Sequence, residues 1–506
     1  MEWIWNYILC SVLIGLLSFL WHLRSIRYNR KLPPGPRGWP IFGNIFELGN
    51  LPHRSLAALK PKYGPVVWTN LGSVKTMTVL SAAAAEELFR NHDLSFINRT
   101  IVDTMWSHDF GKCSTGSVPY GDYWRTLRRI CAVELFTTKK LNETKLIRQK
   151  CVDNMVLWIQ KEIKERGSTG FELTHFVFPA LYNMMGNILI SRDLVDPHSK
   201  IASEFYLAMA GFLECMGRPN VSDIFPWLRW LDLQGLRKRM DHDLGKTIEI
   251  TSGFVEDRVK QRKKKEGRLS ESKDFLDVLL DSKDTEKDEP VKLSDHQIII
   301  FLLEMFFGGT ETFSATIEWA MSELLQNPAA MIKIKAELAR VIGKNSKLED
   351  RDIDSLPYLQ ATVEETLRLH PPLPLLIPRK AVTETNFMGY RIPKDTQVLI
   401  NAWAIGRDEE RWEDALSFKP ERFLGSDVEY RGQNFEFIPF GAGRRICPGI
   451  SLAHRLLPLI LGSLLYHFDW EVCKDVHGKG EMDMMETMGT TAKKLEHLIV
   501  VATRCA

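Results

Sequence analysis

Apolar side chains return every third or fourth position over 82–90, 123–133, 146–164, 295–326 and 451–468, the spacing that lays one continuous stripe down a helix. Two strand-like runs, Pro65 to Asn70 and Lys75 to Leu80, flank the turn signal Gly72-Ser73, and a second strand-rich patch spans Asn386 to Asn401. The pattern predicts a mainly α fold with small β-sheets. One segment shows no periodicity because it is apolar all round: Trp3 to Leu23 is broken only by Asn6, Ser11, Ser18 and His22. As a helix it would be roughly 31 Å long, enough to cross a bilayer core. Only Glu2 precedes it, whereas Arg24, Arg27, Arg30 and Lys31 follow, so the positive-inside rule places the rest of the chain in the cytosol. Next, "KLPPGPRGWP" (31–40) carries four prolines and two glycines and reads as a stiff, extended connector. The predicted organisation is a transmembrane anchor at 1–23, a basic and proline-rich hinge at 24–44, and one large body at 45–506.

Composition narrows this picture only a little. The 506 residues carry a net charge of +2, which gives no reason to expect a nucleic-acid partner or an acidic substrate. The charged stretches "KQRKKKEGR" (260–268) and "DSKDTEKDEP" (281–290) read as solvated loops between helices. Three glycosylation triplets, at Asn98, Asn142 and Asn220, would stay unmodified on the cytosolic side. The eight cysteines are scattered and include no C-x-x-C pair, which argues against a structural zinc site.

Cys447 is the exception, because of its neighbours. "FGAGRRICPG" (440–449) surrounds it with three glycines and two arginines. Glycines allow close backbone approach, and the arginines favour a thiolate, so the loop reads as a seat for a large, flat, anionic partner touched by the sulfur. Three other stretches carry candidate chemistry. Gly308-Gly309 interrupts the long apolar helix and is followed at once by Thr310-Glu311-Thr312, either a functional opening or close packing. Trp124 and Arg128 lie four apart and can reach one anion together, a spacing that an exposed basic helix explains equally well. Glu365 and Arg368, three apart, with Arg422 some fifty residues later, would form an architectural charge cluster.

Together these residues resemble the cytochrome P450 haem-thiolate monooxygenases. F-x-x-G-x-R-x-C-x-G is filled by Phe440, Gly443, Arg445, Cys447 and Gly449. E-x-x-R is filled by Glu365 and Arg368, P-E-R-F by 420–423, W-x-x-x-R by Trp124 and Arg128, and G-G-x-E-T by 308–312. The anchor, the P-P-G-P hinge and the phrases "IPRKA" and "NAWAIGRD" look like the plant microsomal branch near the geraniol hydroxylases and ferruginol synthases. The resemblance implies a helical bundle around haem b (iron protoporphyrin IX), with 45–506 as the catalytic domain and Cys447 as the iron ligand. It further implies that Phe440 packs near the sulfur, that Gly441, Gly443 and Gly449 let the loop lie against the porphyrin, and that Trp124, Arg128, Arg379 and Arg445 bind the propionates. Gly308 and Gly309 would lodge dioxygen, and Thr312 with Glu311 would relay protons toward it.

Two positions depart from the plant pattern: Phe313 replaces a small hydroxyl residue, and Gly308 stands where alanine is common. Both alter pocket shape more than chemistry. The family's substrate-contacting segments map to Thr100–Pro119, Phe301–Phe306, Leu373–Ile377 and Met485–Thr490, mostly apolar, which implies an apolar small-molecule substrate, a terpenoid by preference. Because the chain shows no flavin or nicotinamide fingerprint, electrons would come from NADPH–cytochrome P450 reductase. Arg125, Arg129, Lys139, Lys140 and Arg444 are candidates for its docking face. The implied location is the endoplasmic reticulum membrane, single-pass, with the catalytic domain cytosolic. The competing readings are oxidation of an alkaloid or phenolic compound, a haem-thiolate isomerase or dehydratase that uses no dioxygen, and a tethered haem-binding protein.

Overall fold

The computed structural model describes residues 31–167, 169–197, 204–264, 273–284, 292–343, 346–473 and 482–505. The anchor at 1–23 lies outside the described residues, as do the first part of the hinge and most of the two charged stretches. Positions 260–264 continue a helix, Leu236–Lys264, and 281–284 end another, Phe275–Asp284.

Elsewhere the apolar stripes become helices within a residue or two of the predicted bounds: α1 Ala82–Asn91, α2 Asp122–Glu134, α3 Lys145–Arg166 and, near the C-terminus, Ile450–His467. Ser81 starts α1 by accepting the Ala84 N–H (3.2 Å). The long apolar segment does not form one helix. It splits into α4 (Asp295–Gly308) and α5 (Glu311–Gln326), with Thr310 between them at φ −122°, ψ −63°. Ser294 and Gln297 close a capping box at the start of α4. The break stays satisfied because hydroxyls replace lost helix bonds: Thr310 Oγ1 donates to Phe306 O and Thr312 Oγ1 to Gly308 O, both at 2.9 Å.

Behind α5 stand α6 (Pro357–Leu369) and α7 (Ile450–His467), which share its apolar core. Both 295–326 and α7 are apolar enough to cross a membrane, yet 78% and 67% of those windows are buried inside the protein, so they are core helices. The architectural cluster sits at the foot of α6. Arg368 Nε and Nη2 donate to the two Glu365 carboxylate oxygens (2.6 and 2.7 Å), and Arg422 Nε reaches the same carboxylate at 3.2 Å. Arg368 Nη1 also donates to Gly406 O (2.6 Å) and Ala415 O (2.7 Å), tying distant loops to one fully buried guanidinium.

The main sheet has five strands: β1 Val66–Leu71, β2 Val74–Val79, β3 Asn98–Arg99, β4 Arg379–Lys380 and β5 Gln397–Ile400, in spatial order β1-β2-β5-β4-β3. Residues 31–44 do not stand free as a connector. They dock along this sheet, with Trp68 N–H donating to Pro34 O (2.9 Å) and Gly43 bridging to Leu71. In the register of β3 and β4, Arg99 falls directly opposite Arg379.

Candidate active site

The lone thiol sits in a loop whose turn is closed by Cys447 N–H donating to Phe440 O at 3.0 Å. Cys447 is a free cysteine, half-buried, at the edge of a cavity that Phe440, Gly441, Arg445 and Gly449 also line. Burial raises its pKa, while the Gly449 N–H and the Arg128 guanidinium pull it down. The sequence-based attribution of that stabilisation to Arg444 and Arg445 is therefore corrected. Arg444 turns away to pair with Asp93 (3.1 Å), and Arg445 directs one N–H from each guanidinium nitrogen to the carbonyls of Ile97, Thr115 and Val118, which leaves one N–H on each Nη for a ligand. Gly443 also differs from expectation. Its φ is +69°, and a Cβ there would lie 2.6 Å from Asp93 Oδ1, so this glycine admits Asp93 beneath the loop.

Along one edge of the cavity four guanidiniums converge. Arg445 lies 4.7 Å over the Trp124 ring and Arg128 lies 5.7 Å from the same ring. Arg379 donates to Asp93 Oδ1 (2.7 Å) and Ala442 O (3.1 Å). The fourth is Arg99, which sequence reasoning missed. Its Nη1 donates to Ile377 O (2.6 Å), while its Nε is buried without a partner. Like charges facing each other across two strands destabilise a sheet, and Arg99 and Arg379 do so at 9% and 3% exposure. Burial and mutual repulsion hold Arg99 well below the usual arginine range and bring Arg445 down to about 10. Against these four cations stand Asp93, already shared with Arg444, and Glu304, whose carboxyl burial shifts toward the neutral form. The surplus of buried positive charge calls for a ligand with more than one negative charge, set beside a thiol and an apolar floor.

The opposite wall is the broken helix. Gly308, Gly309 and Thr312 line the cavity, and a Cβ on Gly308 would meet nothing within 4 Å. Gly309 differs: a Cβ there would lie 2.6 Å from Met185 Sδ, so its smallness serves packing as well as the opening. Glu311 does not line the cavity; burial raises its carboxyl pKa and its oxygen Oε2 has no partner.

The apolar lining comes from Met185, Met305, Phe307, Phe313, Leu367, Leu373, Leu376 and Ile377. Of the four substrate segments, Leu373–Ile377 contributes most. Thr100–Pro119 contributes Thr115 and Gly116, and Met485–Thr490 contributes nothing. Phe301 and Phe306 turn into the core, the latter against Tyr182 and Phe205, and Glu304 faces the cavity from the same helix. Glu304 is the second residue missed. Its carboxylate accepts the Ser114 hydroxyl (2.9 Å) and the N–H groups of Thr115 and Gly116 (2.7 Å each), fastening the 114–118 loop to α4. Replacing it with alanine strands three donors at a buried site, so we expect a loss of about 3 kcal/mol in unfolding free energy, measured by denaturant titration.

The comparisons with known proteins agree with this geometry. The cytochrome P450 family model matches residues 33–499. The chain is 53% identical to cytochrome P450 76A2 of Solanum melongena, over 99% of each chain. It is 48% identical to iridoid oxidase of Catharanthus roseus, over 94% of this chain and 92% of that one. Among solved structures, a zebrafish cytochrome P450 with progesterone superposes with a TM-score of 0.75 at 25% identity, covering 90% of this chain and 99% of that one.

Proposed function

The chain belongs to the cytochrome P450 family, and from that premise we propose that it oxidises an apolar terpenoid, with Cys447 as the ligand of the haem iron. It is a monooxygenase that uses haem b, a hydrophobic substrate and a redox-partner reductase. Haem b bound through a thiolate activates dioxygen with two electrons, so that one oxygen atom enters the substrate and the other leaves as water. The observation that carries the reading is the pairing of a lone thiol with four guanidiniums around one cavity, three of them buried and that of Arg128 half-buried. A porphyrin with two propionates supplies the flat shape and the negative charge that this arrangement demands.

In this reading Arg99, Arg128, Arg379 and Arg445, with the Trp124 indole, hold the propionates, and Phe440 shields the sulfur from water. Thr312 keeps a hydroxyl at the opening, where it can hold a water or pass a proton. The apolar wall positions the substrate and excludes bulk solvent. A terpenoid fits this wall, and the similarity to iridoid oxidase supports that class. The test is product analysis in reductase-supplemented microsomes fed terpenoid, alkaloid and phenolic panels under labelled dioxygen. A terpenoid product carrying one labelled oxygen is expected. Thr312→Ala should lower product formed per NADPH consumed by about tenfold while substrate binding stays intact. Arg99→Gln and Arg445→Leu should each raise the rate of haem loss to apomyoglobin by about tenfold.

For the electron donor we take NADPH–cytochrome P450 reductase, docking behind Cys447. Arg125, Lys139, Lys140 and Arg444 all carry acidic partners. The cavity that reaches Cys447 from this side is bordered by Lys145, Arg351, Arg431 and Arg455, of which the three arginines likewise pair with carboxylates, Glu349, Glu429 and Asp354. For location we take the endoplasmic reticulum membrane, with the segment 1–23 as the anchor of a cytosolic domain. An exposed apolar surface supports a membrane-facing side. Phe46 and Trp227 are joined through Phe42 and Phe225, whose rings meet edge to face at 5.9 Å, and Trp39, Ile41 and Trp230, close to them in the chain, are also exposed. In liposomes containing brominated acyl chains, the wild-type protein should lose more tryptophan fluorescence than the W227F/W230F variant, as the difference in quenching measures directly.

A further inference from the structure

Glu311 follows the helix break, yet its carboxyl leans away from the cavity toward a hairpin of two short strands, β6 (Glu486–Met488) and β7 (Ala492–Lys494). Helix α5 packs on β7. Thr491, just ahead of β7, is 1% exposed and stands close enough for its hydroxyl to act on the Glu311 carboxyl. Yet neither the Thr491 hydroxyl nor Glu311 Oε2 makes a well-formed hydrogen bond. A buried hydroxyl and a buried carboxylate oxygen thus stand near each other with neither committed to any other partner. Thr491 is also held firmly: Ala492 N–H donates to Pro372 O (2.8 Å) and Gly489 N–H to Thr491 O (3.0 Å). Beyond it lies Lys493, half-buried, the one charged side chain among the described residues that acts on Glu311.

We propose that this hairpin is the outer half of the enzyme's proton path, with Thr491 passing protons from solvent on the Lys493 side to Glu311, which releases them across the helix break beside Thr312. A solvent proton binds the Thr491 oxygen as that hydroxyl gives its own proton to Glu311 Oε2, directly or through one water. The neutral Glu311 then gives a proton into the cavity and returns to carboxylate. One proton moves inward, no electron moves, and only O–H bonds form and break. Lys493 acts as a positioning charge. Burial raises the Glu311 carboxyl pKa, and Lys493 with Thr491 pulls it down, so both neighbours act on the group that takes up and releases the proton. The inference rests on the monooxygenase reading, which is why its test has an arm that needs no turnover.

That arm is infrared titration of the resting protein. Glu304 and Glu364 also have raised carboxyl pKa values, so the Glu311 band is assigned by its disappearance in Glu311→Gln. Thr491→Val and Lys493→Gln each remove an influence that lowers the Glu311 pKa, so both should move the midpoint of that band to higher pH. In the turnover arm, Thr491→Val should cut product per NADPH about tenfold, and Thr491→Ser, which keeps the hydroxyl, should stay within about twofold of wild type. A Thr491→Val protein that matches wild type in both midpoint and coupling overturns the proposal, as does a Thr491→Ser protein as uncoupled as the valine variant. The carbon monoxide spectrum separates the two readings. A wild-type protein without the thiolate signature defeats the haem assignment itself, whereas a normal spectrum with unchanged coupling defeats the proton path alone.

Discussion

Cys447→Ser should lower monooxygenase turnover by more than about 100-fold while leaving much of the haem in place. The two outcomes separate because two parts of the site do different work. In the proposed site, affinity for a flat dianion would come mainly from Arg99, Arg128, Arg379 and Arg445, and the substitution leaves all four guanidiniums in place. The push of electron density onto iron comes from the sulfur alone, and a serine hydroxyl is a far weaker anion. The substitution is also sterically mild, and the Cys447 N–H bond to Phe440 O survives it. Haem content by pyridine haemochrome and turnover with reductase therefore diverge in the variant. Parallel loss of both would mean that the thiol acts chiefly in assembly.

Glu365→Ala should cost about 3–5 kcal/mol, a large share of the stability of an ordinary domain. Glu365 and Arg368 are both fully buried, and the carboxylate also accepts from the Lys419 N–H (2.8 Å) and Arg422. Removing it leaves two guanidiniums and an N–H without their acceptor at a buried site. Arg368→Lys should fail in a related way, because one ammonium cannot span Glu365, Gly406 and Ala415 in the fixed fork that a guanidinium provides. Chemical denaturation followed by circular dichroism measures both, and a loss below about 1 kcal/mol in Glu365→Ala would remove the cluster from its bracing role.

How much of this was legible beforehand depended on range in the chain. Helices α1, α2, α3 and α7 were readable because a 3.6-residue stripe is a local signal. The split between α4 and α5 was only half readable. Gly308-Gly309 announced weakness, but the crowding by Met185 that fixes Gly309 comes from a helix more than a hundred residues earlier. Cys447 stood out because its own loop carries its context. Arg99 did not: in sequence it is the middle of a glycosylation triplet, and only the pairing of β3 with β4 sets it opposite Arg379. Glu304 looked like one polar residue in an apolar run, since its partners Ser114 to Gly116 lie about 190 positions away. Arg444 and Arg445 were misread for the converse reason. Adjacency to Cys447 suggested that they favour its thiolate, whereas backbone direction sends one to Asp93 and the other to the 97–118 carbonyls.

The proposed chemistry depends on a bond between the Cys447 sulfur and haem iron. Purified full-length protein, reduced with dithionite and exposed to carbon monoxide, should show the strongly red-shifted Soret band of a thiolate-ligated ferrous haem, and Cys447→Ser should lack it. A wild-type band at the shorter wavelength of a haem without a thiolate ligand, or a serine variant that keeps the red-shifted band, would contradict it.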